Sequence, residues 1–212
     1  MKKIVLGIDK ETGDMVECCL EELGNTLIAG LPGSGKSVFL RNVAKNLIKL
    51  YKPGEIGFLI FDEQGLNYRF LKDDPRLLQP VGRDIDDFFR QLDFLGDALS
   101  EVGDHRPLHY VMIIDEFSAI HGDSQCLRRL ENLMDKGSTH GITFFIATQC
   151  PAFYTKKMMS ASKSRLAFRH FEEDGRLFCD EPHLMELCPC PGDGLFISTN
   201  NGKKRRHCIH VE

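Results

Sequence analysis

The sequence predicts an α/β fold, a mostly parallel sheet covered by helices on both faces. Three observations carry that expectation. Short apolar runs that read as buried strands alternate with amphipathic stretches of helical period. The residues that close those runs are polar: Gly30, Asp62, Asp115, Glu116, Thr148 and Gln149. Ligands of parallel sheets sit at the carboxyl ends of the strands, so this is where polar residues belong. Finally, one strand-to-helix junction, IAGLPGSGKSVFL (28–40), satisfies the pattern G-x-x-x-x-G-K-[ST].

The elements follow in chain order. KKIVLGID (2–9) is a short strand, KETGD a turn and MVECCLEEL (15–23) a returning strand, together a small hairpin. NTLIAG (25–30) is a buried strand. KSVFLRNVAKNLIKLYK (36–52) is a helix with Val38, Leu40, Val43, Leu47 and Leu50 inward, stopped by Pro53-Gly54. EIGFLIFD (55–62) is the next buried strand, and the twenty residues after it are irregular. RDIDDFFRQLDFLGDALSEV (83–102) has helical period, with Ile85, Phe88, Phe89, Leu92, Leu95 and Leu99 inward and Asp84 near its start. HYVMIIDEFSAI gives a buried strand running into two acids. A helix from Asp123 ends near Gly137 or Gly141, and ITFFIATQ (142–149) is a further strand. SRLAFRHF (164–171) is a strand with a short helix after it, and DGLFISTNNGKKRRHCIHVE (193–212) is a hairpin turning at Asn201-Gly202. No repeat or linker breaks this order, so residues 1–212 read as one domain.

With 42% hydrophobic and 27% charged residues, the composition is that of a soluble globular protein. No apolar run approaches the length of a membrane span and the first residues lack a signal-peptide core. A cytosolic chain is expected, or the soluble part of an assembly brought to a membrane by a partner. The formal net charge of −4 argues against a surface coated for nucleic acid, though not against a ring whose pore alone is basic. The eight cysteines read as free thiols in such a chain. Cys179, His183, Cys188, Cys190, His207 and Cys208 gather near the end, but C-x-C is not a strong zinc pair.

The junction at 30–38 carries the first chemistry. Gly30, Leu31, Pro32, Gly33, Ser34, Gly35, Lys36, Ser37 and Val38 form a loop whose glycines let backbone N–H groups face a phosphate. Lys36 is expected to reach the β- and γ-phosphates of ATP, and the Ser37 hydroxyl to hold Mg²⁺. The following helix adds its N-terminal partial charge. VMIIDE (111–116) carries the second. Asp115 would leave the sheet beside the Mg²⁺ on Ser37, and Glu116 could orient and deprotonate the attacking water. Two acids at such a junction also cap a following helix, which is the competing explanation. Gln149, at the tip of a further strand, is expected to sense the γ-phosphate, against a plain strand-end polar residue. A strand between the phosphate-loop strand and the Asp115 strand in sequence suits NTPases with an inserted central strand and a catalytic glutamate.

At this point the chain resembles the FtsK/SpoIIIE family of ring-forming motor ATPases, in the wider HerA–FtsK superfamily. LGIDKETGDMVECCLEELGNTLIAGLPGSGKSVFL looks like that family's lead-in hairpin and phosphate loop. YVMIIDEFSAI is similar to its acidic motif, HGITFFIATQCP to its GIHLILATQRP, and SRLAFRHFEEDGRLFCDE…PGDGLFI to its TRIAFRVSS…DSRTILD…GDML. The resemblance covers nearly the whole chain. It implies a RecA-like P-loop NTPase core, ATP hydrolysis with Mg²⁺, a homo-hexameric ring, and movement of a polymer, most often double-stranded DNA, through the pore. By matching motifs, Lys36 and Ser37 bind phosphate and metal, Asp115 sits by the metal, Glu116 is the base and Gln149 the sensor. Cys150 stands where the family has arginine after ATQ, and MDKGST lacks the arginine the family carries before its GIH motif. A finger in trans must then come from Arg165, Arg169 or Arg176. The resemblance finds no match for a winged-helix DNA reader or a membrane anchor, which fits a short motor of conjugative-transfer type or a fragment. A type VII secretion-like ATPase that moves protein, with a secretion partner in trans, and an ATP-binding switch with poor hydrolysis remain open. The Lys156, Lys157, Lys163, Arg165 and Tyr154 segment could face a pore, and KKRR (203–206) could touch DNA; each is otherwise a solvated surface.

Overall fold

In the computed structural model, which describes residues 2–100, 108–200 and 202–212, the sheet is built outward from the strand before the phosphate loop. That strand, β3 (Thr26–Ala29), pairs in parallel with β6 (Ile142–Thr148) on one edge and β7 (Ser164–Phe168) on the other. Beyond β6 lie β5 (His109–Ile114) and then β4 (Ile56–Phe61), both parallel to it. Beyond β7 the sense reverses: β8 (Asp193–Asn200) and β9 (Lys203–His210) are antiparallel, and β9 hands on to β1 (Ile4–Asp9) and β2 (Met15–Cys18). The order among the described residues is β2-β1-β9-β8-β7-β3-β6-β5-β4. The two terminal hairpins expected as separate pieces thus become one antiparallel wing of the parallel sheet.

Alternation along each central strand divides the core into two layers. Leu27, Leu59, Phe61, Met112, Ile114, Phe144 and Ile146 point to one face. There they meet α3 (Ile85–Ser100) through Phe88, Leu92 and Leu95, and α4 (Ser124–Gly137) through Leu130, Leu133 and Met134. Ile28, Phe58, Ile60, Val111, Ile113 and Phe145 point to the other and meet α2 (Lys36–Leu50) through Phe39, Leu40, Val43 and Leu47. Burial on both faces is why these strands read as continuous apolar runs.

Helix boundaries follow their signals. Asp123 caps α4 by accepting from Gln125 N and Cys126 N, and Gly141 (φ 75°) ends the short 3₁₀ turn that follows it. Asp84 Oδ1 accepts from Asp87 N at the start of α3. The expected end of α3, residues 101 and 102, lies outside the described residues, as does Asn201 of the last hairpin turn.

Several expectations need correction. MVECCLEEL is a strand only as far as Cys18; Leu20–Leu23 is a helical turn (α1) that buries Leu20 and Leu23. Val38 and Leu50 are half-buried, while Phe39, not expected inward, is fully buried. EIGFLIF is not the strand inserted beside the phosphate-loop strand. It lies at the far edge, and β6 takes the inserted place between β3 and β5. The irregular stretch after β4 is not loose. It covers that edge with bridges Phe58–Leu77 and Phe61–Gly82. The segment expected as a pore-facing loop folds as a 3₁₀ turn, Pro151–Phe153, and α5 (Lys156–Ala161). Its Tyr154 is buried, the hydroxyl 2.7 Å from the carbonyl oxygens of both Ile28 and Ile146 and the ring stacked near Phe117 and Phe178. An aromatic whose hydroxyl can meet carbonyls between two strands gains more from burial than from solvent.

Asn25 joins four elements just before β3. Its amide nitrogen donates to Met134 O (2.8 Å) and Ala161 O (3.1 Å), and its amide oxygen accepts from Phe144 N (3.1 Å). Asn25→Ala leaves a buried N–H and two carbonyls without their bonds, so a loss of roughly 3 kcal/mol is expected. Thermal unfolding should shift down by about 6–12 °C. A shift under about 2 °C would mean that the junction relaxes around the gap.

Candidate nucleotide site

Parallel register brings three strand ends to one edge, those of β3, β5 and β6. The loop from Gly30 to Gly35 leaves β3 and turns into α2. Gly30 has no room for a side chain: a Cβ there would lie 2.4 Å from Ser34 Oγ and 2.7 Å from Phe168 Cβ. Gly35 adopts φ 118°, a conformation that L side chains rarely take. Within the loop, Leu31 N donates to Arg169 O (3.0 Å) and Ser34 N to Leu31 O (3.1 Å). The N–H groups of Gly33, Gly35, Lys36, Ser37 and Val38 meet no backbone acceptor among the described residues. Together with the helix start, they form a nest of donors suited to an anion. A cleft of about 300 Å³ opens over these residues, walled by Pro191, Gly192, Val211 and Glu212.

Lys36 is folded back over the loop, its Nζ donating to Gly30 O (2.7 Å) and Leu31 O (3.2 Å). Burial lowers its pKa, while the carboxylates of Glu116 and Asp115 oppose that shift. Ser37 donates through Oγ to Asp115 Oδ1 (2.7 Å), which joins the first turn of α2 to the end of β5. Asp115 Oδ2 accepts from Asn67 Nδ2 (3.1 Å). Burial raises the Asp115 carboxyl above its ordinary range, and nearby Asp62 adds to this against Ser37, Tyr68 and Lys36. A hydroxyl and a charge-starved carboxylate side by side suit a hard divalent cation.

Glu116 sits one residue further out, half-buried. Its Oε1 accepts from Ser118 N (3.1 Å), Thr148 Oγ1 (3.2 Å) and Gln149 N (3.4 Å). It therefore caps the short Phe117–Ala119 turn and also faces β6, so the two explanations of the acid pair coexist in one side chain. Gln149 contributes its backbone; its side chain is exposed at the end of β6. Leu31 supplies a loop N–H that is already used, and Pro32 is exposed.

The arginines separate. Arg169 follows β7 beside the phosphate loop, Nη1 reaching Pro189 O (3.4 Å). Arg165, at the opposite end of β7, is turned inward onto Phe178 O and Met159 O. Arg176 is exposed and paired with Glu172. The terminal cysteines and histidines do not converge, and no metal-holding group of three or more His, Cys, Asp or Glu exists among the described residues. Cys179 Sγ is engaged by Gly175 O, and His207 by Asp9. Asn67, Tyr68 and Gly192 border the site as well, Gly192 within the family-like run PGDGLFI. They reach it through an irregular loop and a terminal turn.

Because Asp115 is held above its ordinary range, the folded protein binds a proton more readily than the unfolded chain there. The cost of ionising it is absent below the usual carboxylate range and present at neutral pH. Asp115→Asn should therefore raise the melting temperature at neutral pH without nucleotide or cation. The gain should vanish as the pH falls toward about 4. Melting curves at the two pH values test this; equal or lower stability at neutral pH would contradict the electrostatic account.

Residues 2–106 match the sequence model of the FtsK/SpoIIIE family. Over 96% of its length the chain is 24% identical to the DNA translocase FtsK of Corynebacterium glutamicum and 25% identical to the DNA translocase SpoIIIE of Bacillus subtilis. It spans 26% and 30% of those proteins. Among solved structures, the cytoplasmic domain of the type VII secretion ATPase EccC of Thermomonospora curvata superposes with a TM-score of 0.81 at 17% identity, covering 100% of this chain and 26% of that one. No helix among the described residues is long and apolar enough to cross a membrane. The sequence likeness runs past the phosphate loop and through the acid pair to the antiparallel wing, further than a shared nucleotide motif would carry it, so the chain is similar to the FtsK/SpoIIIE translocases over nearly its whole length.

Proposed function

We propose that this chain is a Mg²⁺-dependent ATP-hydrolysing motor domain that acts on double-stranded DNA as part of a ring of identical subunits. The observation that carries the reading is the 2.7 Å contact between Ser37 Oγ and Asp115 Oδ1, with Glu116 next to it. Three roles that chemistry requires at different points of a bound nucleotide thereby meet at one edge. The loop N–H groups and the start of α2 would hold the phosphates. Lys36 would exchange its two carbonyl partners for phosphate oxygens. Ser37 and Asp115 would hold Mg²⁺, which when bound offsets charge on the phosphate oxygens. Glu116, with one carboxylate oxygen held by three donors, would orient a water and take its proton. Thr148 joins this set as the side chain that fixes Glu116; Gln149 assists through its N–H, and its exposed amide remains the candidate γ-phosphate sensor.

DNA is favoured over protein as the polymer because the likeness to DNA translocases covers 96% of the chain in sequence. The likeness to a secretion ATPase is one of fold. A cation from outside the loop would complete the charge at the γ-phosphate, and Arg169 or the exposed Arg176 of a neighbouring subunit are the candidates.

Two outcomes are expected. Glu116→Gln keeps the acceptor for Ser118, Thr148 and Gln149 but cannot take a proton. Nucleotide affinity should hold while turnover falls about 100-fold or more. A fall under about tenfold would leave Glu116 as a cap alone. Separately, wild-type turnover should rise with added double-stranded DNA and with protein concentration, and the DNA effect should decline steeply with salt. Turnover indifferent to DNA but raised by a partner's peptide would favour the protein-moving alternative.

A further inference from the structure

Most of the large apolar side chains left exposed among the described residues gather in two places. Leu66 and Phe70 lie on the segment that covers the edge of β4. Phe171, Leu177, Met185 and Leu187 lie on α6 (Glu172–Cys179), on α7 (Leu184–Leu187) and just before α6. A single exposed apolar side chain calls for no explanation, but clusters rimmed by charge mark interaction surfaces.

The two clusters carry opposite charge. Leu66 and Phe70 are chain neighbours of Gly65, Tyr68 and Arg69, which line a cleft of about 770 Å³. Its floor is apolar, with Leu77 and Val81 beside Tyr68, and its cations are Arg69, Lys72 and Arg83. No carboxylate lines it, and the side chains of these three cations join no ion pair among the described residues. The second cluster is acidic: residues 171–187 hold six acids against one arginine. That arginine, Arg176, is already paired with Glu172, and Asp174 is turned toward His170 (3.1 Å). Glu173 and Glu186 are left on the surface beside the exposed apolar side chains.

One chain cannot bring the two together. Tyr68 is buried in the layer that holds α2, with Leu77 and Val81 packed against it. α6 and α7 bury Phe178 and Leu184 in the opposite layer, with α3 and α4. Two different, complementary surfaces on one chain make a head-to-tail contact between copies, the kind that closes into rings.

We propose that the cleft of one subunit receives the α6–α7 segment of the next. The apolar side chains of that segment lie over the cleft floor, and its carboxylates face Arg69, Lys72 and Arg83. The inference rests on the ring of identical subunits proposed above and names its two surfaces. The contact lies one loop from the nucleotide edge: Gly65 and Tyr68 line the cleft, and Asn67 between them donates to Asp115 Oδ2 (3.1 Å).

Sedimentation velocity of the full chain with Mg-ADP, across a wide range of protein concentration, tests the pairing by charge exchange. Arg69→Glu with Lys72→Glu makes the cleft acidic, and Glu173→Lys with Glu186→Lys makes the segment basic. Each double variant should self-associate about tenfold or more weakly than the wild type, because like charges then face each other. An equimolar mixture of the two should assemble again, since each cleft meets a segment of opposite charge in the other variant. The chain carrying all four changes should also recover. All four positions are exposed, so the variants should keep the wild-type melting temperature. Phe171→Ser, at a 61% exposed ring, should weaken association without any change of charge. Double variants that assemble like the wild type, or that lose assembly with no recovery in the mixture or the fourfold variant, overturn the pairing and leave the ring standing. Loss of double-stranded DNA binding in Arg69→Glu with Lys72→Glu, with assembly intact, overturns it too and makes the cleft a DNA surface. A wild type that stays monomeric at every concentration, with and without DNA, overturns the ring and this pairing together.

Discussion

Much of this molecule depends on a four-residue strand. Thr26–Ala29 has a parallel neighbour on each edge and an apolar layer on each face. In that position every backbone group must be paired and every side chain must fit, because an unpaired N–H or carbonyl has no water to turn to. Asn25 ties the lower end to α4, α5 and β6, and Tyr154 bridges carbonyls of β3 and β6 from the side. The upper end can leave the sheet in one way only. Phe168 from β7 closes over Gly30, and Ser34 fills what space remains. The phosphate loop takes its shape from the close packing of the strand beneath it.

A rigid base lets the site be assembled from parts distant in sequence. Ser37 and Asp115 are 78 residues apart and meet at 2.7 Å because β3 and β5 run parallel with β6 between them. The inserted strand does two things. It sets the spacing that leaves room beside the loop, and its end supplies Thr148 and the Gln149 N–H to hold Glu116. The electrostatics have the same origin. Asp115, Asp62, Lys36 and His170 are crowded into a buried edge where charge is poorly solvated, and burial is the largest influence on Asp115, Lys36 and His170 alike. Poorly solvated charge gathered at one strand edge is what functional sites commonly show.

The antiparallel wing changes the character of the site. β8 and β9 continue the sheet from β7, and the chain after β9 returns to the loop. Gly192 N donates to Ser34 O (2.9 Å), and Val211 and Glu212 wall the cleft above Ser37. The last residues of the chain thus border the first chemical motif, across about 175 residues of sequence. A change in the final turn would be felt at the loop that leaves β3.

Local sequence determined a good deal. The phosphate loop, the acid pair, the strand–helix alternation and the caps at Asp84 and Asp123 are legible because each rests on interactions within a few residues or on a periodicity within one element. Gly35 needs its left-handed conformation whatever surrounds it, and VMII before two acids can be little other than a buried strand reaching an edge. The place of a strand in the sheet, by contrast, follows from which edges pair, and EIGFLIF and ITFFIAT are equally apolar, so nothing in either run says which lies beside β3. Asn67 and Tyr68 were illegible for a related reason: an irregular loop has no period, and they reach Asp115 only because β4 packs against β5. Tyr154 looked like a surface contact among lysines until the two carbonyls that meet its hydroxyl were brought together by strand pairing. His170 is an ordinary residue in the sequence. Its burial beside Asp174 comes from the fold, since the surroundings of a side chain depend on distance and solvation, which only the tertiary structure decides.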